Sequence, residues 1–286
     1  MKLVRYGDPG REKPGLVDRT GTLRDLSAEV DDIAGETLSN AGLERLRALD
    51  HARLPPVEGV PRLGPCVGNV GNFVAVGLNY RDHAEEGGDP IPAEPILFNK
   101  ARSCVSGPND DIMLPKGSRK TDWEVELGFV MGEPITNADE AEAWLAIAGF
   151  CVCHDVSERE FQLERGPTWS KGKGCPTFGP LGPWLVTRDE IPDVQDLSIW
   201  LDVNGTRTQN GSTRNMIFPV RFLASYISEF MRLEPGDVVT TGTPAGVGAG
   251  FNPERYLRDG DVVTLGIDGL GRQRQHVVSF GKVRGN

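Results

Sequence analysis

The sequence of 286 residues predicts a β-rich α+β fold, because three features argue against a mainly helical protein. The chain contains 36 Gly and 21 Pro, which favour many turns and short elements. Most apolar segments are short, and several alternate with polar residues as half-buried strands do. Helical spacing of apolar residues is confined to a few stretches.

Residues 1–66 are predicted to form a small N-terminal α/β domain. Residues 1–6 indicate a strand, and PGLVD with the following TGTLRDL indicates a hairpin after a GDPG turn. A helical stretch is predicted near Ser39–Leu49. The segment Leu54–Pro65 contains four Pro and is predicted to be a linker, so the second and larger domain covers residues 67–286.

The first half of the larger domain contains three predicted strands, in NFVAVGLNY, TDWEVELGFVMG and GFCVCHD. Between the first two, Glu85–Pro95 is polar and rich in Gly and Pro, which favours a loop or lid. Asn137 and Glu140 have the spacing of a helix N-cap box, which predicts a helix from there through Ile147.

The second half contains a hairpin, a helix and two further strands. Val203-Asn204-Gly205 is a strong hairpin signal, and Phe218–Met231 has apolar residues at helical spacing. PGDVVTTGTP and DGDVVTLGI are predicted strands that each begin after a tight turn.

The charge and composition exclude several classes of protein. The net charge of −10 disfavours nucleic acid or an anionic membrane as partner, since both require a basic face. No apolar run has the length of a membrane span, and the first residues contain no apolar signal core. Five scattered Cys fit a reducing cytoplasm better than a disulfide framework.

Three carboxylates form a candidate metal site. Glu124 and Glu126 lie two residues apart on an alternating strand and therefore share a face, and Asp155 ends the next apolar strand. Oxygen ligands of this kind suit Mg²⁺, Mn²⁺ or Ca²⁺. The same alternation is equally typical of a solvated strand face, with Trp123 and its apolar neighbours in the core.

Zinc is the alternative suggested by Cys151, Cys153 and His154. Strand alternation places the histidine on the face opposite the two thiols, and no second Cys pair has ligand spacing, so buried small cysteines are favoured. The chain also lacks the serine-nucleophile elbow, the paired-histidine zinc motif and the phosphate-binding loop.

Other polar residues could act on a substrate. On a helical turn, the spacing of His83 and Glu86 would place a carboxylate beside an imidazole, which suits a water-activating base but also an ordinary surface pair. On a helix, Arg159 and Gln162 would share a face with Asp155, and Arg159 could clamp a carboxylate. Lys173 lies in WSKGKG, where flanking glycines allow close approach or simply form an exposed turn.

Taken together, several segments between about Asn72 and Asp261 resemble the fumarylacetoacetate hydrolase family: GLNYRDHAEE, DWEVELG, HDVSERE-FQ, WSKGKGCPTFGPLGP, VNG with TRTQ, and TTGTPAGVG. The resemblance implies a β-roll catalytic domain, one Mg²⁺ or Mn²⁺ per subunit, and a homodimer or higher homo-oligomer. It implies metal ligands at Glu124, Glu126 and Asp155, and catalytic residues at His83, Glu86 and Lys173. It also implies substrate-binding positions at Tyr80, Arg159, Gln162 and Thr243.

The activity that this resemblance implies is metal-dependent hydrolysis of a carbon–carbon bond in a small anionic 2-oxo acid, an acylpyruvate. The products would be pyruvate and a second carboxylic acid. Segments such as GPWLVT and TGTPAGVGAGFNPERYLRDGD look most like the branch that acts on 2,4-diketo-3-deoxy-L-rhamnonate in sugar-acid catabolism. Oxaloacetate decarboxylation or keto–enol isomerisation by the same chemistry is the enzymatic alternative, and a non-catalytic carboxylate- or metal-binding protein is the alternative of another class.

Overall fold

The computed structural model describes residues 1–166 and 168–282 and confirms a sheet-dominated α+β fold. The strands within these residues are β1 Lys2–Tyr6, β2 Lys13–Val17, β3 Leu23–Asp25, β4 Phe73–Gly77, β5 Ile96–Asn99, β6 Val105–Ser106, β7 Ile112–Met113, β8 Thr121–Asp122, β9 Val125–Met131, β10 Ile147–His154, β11 Ser157–Glu158, β12 Gly179–Thr187, β13 Ser198–Val203, β14 Thr206–Ser212, β15 Val238–Thr240, β16 Val262–Ile267 and β17 Gly271–Val278.

The helices are short. The α-helices are α1 Asn40–Arg47, α2 Arg81–Gly87, α3 Glu140–Ala146, α4 Ser170–Lys173 and α5 Val220–Phe230. Single turns of 3₁₀-helix occur at Gly35–Leu38, His51–Arg53, Arg102–Cys104, Arg188–Glu190, Thr213–Asn215 and Gly248–Gly250, and a π-helical turn occurs at Glu160–Glu164. No helix in the described ranges has the length and apolar character needed to cross a bilayer.

Two sheets carry the fold. The larger has the order β3-β2-β1-β12-β10-β9-β15-β4-β5, with β6 also paired to β12, and the smaller has the order β14-β13-β16-β17-β7. Strands β9, β10 and β12 pack against β13, β16 and β17, and every residue of β9 and β10 is buried. Such central positions are normally apolar, and any charge there requires a partner.

The N-terminal residues join the same large sheet, because β1 pairs antiparallel with β12 through Lys2–Val186 and Leu3–Leu185. The hairpin of β2 and β3 continues that edge, as the sequence predicted. The division at residues 66 and 67 stays a prediction, since a continuous sheet and a shared core do not by themselves define where one domain ends.

Two sequence predictions about helices require correction. The N-cap of α3 is Asp139 rather than Asn137, and its capping box is completed by Glu142 rather than Glu140. Asn137 has φ 49° and donates its N–H to the Ser228 carbonyl, so it belongs to the preceding turn. The predicted lid segment also begins inside a helix, since α2 continues to Gly87 before Gly88 ends it in the left-handed conformation at φ 68°.

Candidate active site

Three buried carboxylates converge where β9 and β10 meet the cavity described below. Glu126 lies opposite Cys153 in the antiparallel ladder, and Asp155 follows directly after β10 and donates its N–H to the Glu124 carbonyl at 2.9 Å. One oxygen of each carboxylate lies within 4.8 Å of the others. Because Glu124 is 4% exposed and Glu126 2%, the solvated-face interpretation is wrong.

The electrostatics of Glu126 indicate an excess of negative charge. Its Oε2 accepts hydrogen bonds from the Thr240 hydroxyl and from the Gly242 N–H at 2.9 Å. Burial, followed by the charges of Asp155 and Glu124, nevertheless raises the pKa of Glu126 well above its usual range. A cation between the three carboxylates would relieve that repulsion.

Two cations partly balance the cluster. The Lys173 ammonium donates to Glu124 Oε2 at 2.5 Å and to Asp155 Oδ2 at 2.8 Å, and Arg159 Nη2 lies 2.7 Å from Glu124 Oε1. Burial disfavours the charged form of Glu124, but Lys173 and then Arg159 outweigh it and hold the pKa of Glu124 well below its usual range. Glu124 is therefore an anion, as a metal ligand must be.

Sequence reasoning missed two charged residues of this site. Lys100, which follows β5, is fully buried, pairs with Asp155 Oδ1 and donates to the Lys173 carbonyl at 2.6 Å. Asp122 accepts from Arg159 Nε at 2.8 Å and from the N–H groups of Gly248 and Ala249 at 2.6 and 3.0 Å. Alternation could have identified Asp122, because it lies two residues before Glu124, whereas Lys100 has no comparable local signal.

The carboxylate cluster fits a hard divalent cation. Its donors are all oxygens, and their mutual repulsion is what a divalent ion offsets. Cys151 and Cys153 are buried free thiols, and among the described residues no group of three His, Cys, Asp or Glu other than this cluster has metal-site spacing. Zinc bound by these thiols is therefore not supported.

The predicted histidine–carboxylate pair lies on α2. His83 Nδ1 is 3.4 Å from Glu86 Oε2, as the i, i+3 spacing predicted. The Gly246 N–H donates to both Glu86 oxygens, at 2.9 and 3.1 Å, and a side chain on Gly250 would overlap this carboxylate. The backbone of the 246–250 segment therefore fixes Glu86, which in turn orients the imidazole.

A cavity of about 400 Å³ connects the carboxylate cluster to this pair. Of the ten residues predicted for the site, nine line it: His83, Glu86, Glu124, Glu126, Asp155, Arg159, Gln162, Lys173 and Thr243. Tyr80 does not line it. This residue lies fully buried before α2, and its hydroxyl has no hydrogen-bond partner among the described residues. Burial, followed by the Glu126 charge, raises the pKa of Tyr80.

Arg159 and Gln162 reach the cavity by a different route from the predicted one. Asp155 is followed by β11, so it does not share a helix with them, and the π-helical turn begins only after Arg159. Arg159 Nη1 donates to Gln162 Oε1 at 3.0 Å, while its Nε and Nη2 are directed to Asp122 and Glu124. Most of the guanidinium thus organises protein carboxylates rather than being free to clamp a substrate.

Thr243 is also held by the protein. Its hydroxyl donates to the Val125 carbonyl at 2.8 Å and accepts from Gln209 Nε2 at 2.8 Å. Gln209 in turn accepts the Val125 N–H at 2.9 Å. This network joins the smaller sheet to β9 and fixes the wall of the cavity beside Glu126.

Comparisons with known proteins match most of this chain. The family model described as fumarylacetoacetate (FAA) hydrolase C-terminal matches residues 72–278. A relative from Burkholderia multivorans, named "Putative hydrolase", is 61% identical over 276 residues and covers 96% of this chain and 98% of its own.

Three solved structures are similar over nearly the whole chain. An HpcE-type protein from Mycobacterium smegmatis has a TM-score of 0.88 at 38% identity, covering 98% of this chain and 100% of its own. Fumarylacetoacetate hydrolase from Exiguobacterium antarcticum has 0.84 at 31%, covering 98% and 99%. A 2-hydroxyhepta-2,4-diene-1,7-dioate isomerase from Mycobacterium marinum has 0.75 at 31%, covering 99% and 100%.

Proposed function

Because the chain belongs to the fumarylacetoacetate hydrolase family, we propose that it hydrolyses the carbon–carbon bond of an acylpyruvate and releases pyruvate with a second carboxylic acid. The observation that carries the proposal is the single cavity shared by the three converging carboxylates and the His83–Glu86 pair. A metal-oxygen site beside an oriented base is what hydrolysis of a chelating diketo acid requires.

Glu124, Glu126 and Asp155 would hold a divalent cation, for which we propose Mg²⁺ or Mn²⁺. When bound, the cation supplies positive charge that orients the 2-oxo acid and stabilises negative charge on its oxygens. Lys100, Lys173 and Arg159 keep the carboxylates in place by pairing with them.

His83, oriented by Glu86, removes a proton from a water molecule, and the water oxygen attacks the 4-carbonyl carbon of the substrate. The C3–C4 bond then breaks, and its electron pair passes into the pyruvate enolate. Lys173 stabilises the enolate oxygen by a hydrogen bond from its ammonium group. Proton transfer to C3 completes pyruvate, and the acyl group leaves as a carboxylic acid.

Within this reaction we propose 2,4-diketo-3-deoxy-L-rhamnonate as the substrate to test first, with lactate as the second product. The resemblance of the GPWLVT and TGTPAGVGAGFNPERYLRDGD segments supports this choice. Five free thiols in the described residues support action in the reducing cytoplasm.

Keto–enol isomerisation is the second candidate, because one of the similar structures is named an isomerase. Decarboxylation of oxaloacetate would use the same enolate chemistry. Hydrolysis in ¹⁸O-labelled water places one label in the carboxylate of the acid released with pyruvate, and the two alternatives do not.

The metal assignment is tested with Glu126→Ala. This variant should lose Mn²⁺ binding in calorimetry together with pyruvate release from acylpyruvates, because the site loses a ligand and a charge. Glu58→Ala, at an exposed position of the segment after β3, is the matched control and should retain both. Unchanged Mn²⁺ affinity in Glu126→Ala would contradict the assignment.

We also propose that the protein is a homodimer or higher homo-oligomer. An aromatic row on and just before α5 supports an interface, because adjacent ring centroids lie 5.5, 5.7 and 4.9 Å apart and the last ring is 61% exposed; the row is Phe218, Phe222, Tyr226 and Phe230. Sedimentation equilibrium of the wild type should give more than one chain per particle, and a monomer would contradict the proposal.

A further inference from the structure

We propose that the acyl half of the substrate is uncharged, an alkyl or hydroxyalkyl group, and that acylpyruvates with a second carboxylate at that end are poor substrates. This inference rests on the proposed function and specifies its substrate class. It follows from how the charged groups that line the cavity are already paired.

The cationic side chains of the cavity are committed to the protein. Among the described residues, Lys173 and Arg159 are the lysine and arginine that line it. The Lys173 ammonium contacts two carboxylates, and Arg159 donates to Asp122, Glu124 and Gln162. The few N–H bonds left on these groups lie beside the carboxylate cluster, where the pyruvate half of every acylpyruvate brings its own carboxylate.

Among the described residues, the rest of the lining offers no further lysine or arginine to a second anion. Away from the carboxylate cluster and the His83–Glu86 pair, the side chains are mainly apolar: Leu78, Phe98, Leu163, Trp169 and Val247. The Phe98 and Trp169 rings pack edge to face at 5.4 Å, and a side chain on Gly77 would overlap Trp169. The charged lining residue outside the site is Asp89, an anion, on the exposed loop after α2.

The energetic consequence is the same at each of these apolar side chains. A carboxylate placed against these side chains would lose its hydration without gaining a cationic partner, and Asp89 would repel it. An alkyl group of the same shape gains apolar contact instead. A hydroxyl remains compatible, because the Asp89 carboxylate can accept a hydrogen bond from it.

A matched pair of acids tests the inference: 4-methylpentanoylpyruvate and succinylpyruvate have the same shape, with an isopropyl group in place of the distal carboxylate. With saturating Mn²⁺, we expect kcat/KM for pyruvate release to be on the order of 10²-fold higher for the neutral acid. Equal or higher kcat/KM for succinylpyruvate would overturn the inference.

Asp89 provides the electrostatic check. Asp89→Lys should raise kcat/KM for succinylpyruvate relative to the neutral acid by about tenfold, because it places a cation at the cavity. Asp89→Asn is the matched control, removes only the repulsion and should have a smaller effect in the same direction. If neither variant changes the ratio, the discrimination is not electrostatic and the argument fails.

A binding measurement separates this inference from the proposed function. Calorimetric titration of both acids into the Mn²⁺-loaded protein should show tighter binding of the neutral acid whether or not it is cleaved. Preferential binding of the neutral acid without pyruvate release would refute hydrolysis but support the inference. Cleavage of both acids at equal rates would support hydrolysis but refute the inference.

Discussion

Replacing Lys100 with methionine should destabilise the protein strongly. Lys100 and Asp155 form an ion pair in which both side chains are fully buried, and the variant leaves Asp155 with Lys173 as its remaining cation. Breaking a buried pair typically costs about 3–5 kcal/mol, and the remaining Lys173 contact favours the lower end, about 3 kcal/mol. For a chain of 286 residues, whose unfolding entropy is about 0.6 kcal/mol/K, that corresponds to a fall in melting temperature of roughly 5 °C.

The chain contains a matched control in Lys120, whose ammonium lies 2.6 Å from Glu164 Oε1 at the surface. Because solvent screens that pair, Lys120→Met should leave the melting temperature unchanged. Differential scanning calorimetry of the wild type and both variants measures the contrast. If Lys100→Met melts within about 1 °C of the wild type, the buried Lys100–Asp155 pair contributes little to stability and the reasoning is refuted.

Repeating the Lys100→Met scan with saturating Mn²⁺ distinguishes a charge effect from a packing defect. A divalent cation would give Asp155 a new positive neighbour, so the variant should gain more from the metal than the wild type does. The difference between the two melting temperatures should therefore narrow. An equal difference with and without Mn²⁺ would indicate that methionine disturbs packing rather than charge balance.

Three further outcomes are expected. His83→Ala should lower the rate of acylpyruvate hydrolysis by roughly 10²–10⁴-fold at unchanged Mn²⁺ affinity, and Glu86→Gln should lower it less. If His83→Ala hydrolyses acylpyruvates at the wild-type steady-state rate, His83 is not the base. Replacing Cys151 and Cys153 by Ala should change stability but not metal content, as elemental analysis can check. Burial, followed by the Glu158 charge, raises the pKa of Cys175 to about 11. Alkylation of this thiol should therefore be slow at pH 8 and become faster as the pH approaches 11. Fast labelling of the native protein at pH 8 would contradict this.

Local sequence signals predicted those parts of the fold that local physics decides. Asn204 and Gly205 form the turn between β13 and β14 with φ of 52° and 78°, as an Asn-Gly pair favours. Alternation from Trp123 into β9 correctly placed Glu124 and Glu126 side by side. The capping error had a local cause too, since Asp139 offers the same box two residues later and tertiary contacts select it.

Contacts between residues far apart in the chain could not be predicted from local sequence patterns. Lys100 contacts Asp155 although the two residues lie 55 positions apart, and the sequence around each residue does not predict the contact. The insertion of β15 between β9 and β4 likewise depends on pairing among distant segments. Burial also determines whether Glu124 and Glu126 form a metal site or a surface. The same alternating pattern would be a solvent-exposed strand face if β9 lay at an edge of the sheet rather than at its centre.

The pairing of β1 with β12 has a consequence for biosynthesis. The N-terminal amine donates to Thr187 Oγ1 across 186 residues, and the first strand has no partner on that side until β12 has left the ribosome. At ordinary translation rates this interval is roughly 10–40 s, during which an apolar strand edge stays open. β1 can pair with β2 early, but its other edge cannot be covered until residues 179–187 have been synthesised, so the rate of translation sets how long that edge is exposed.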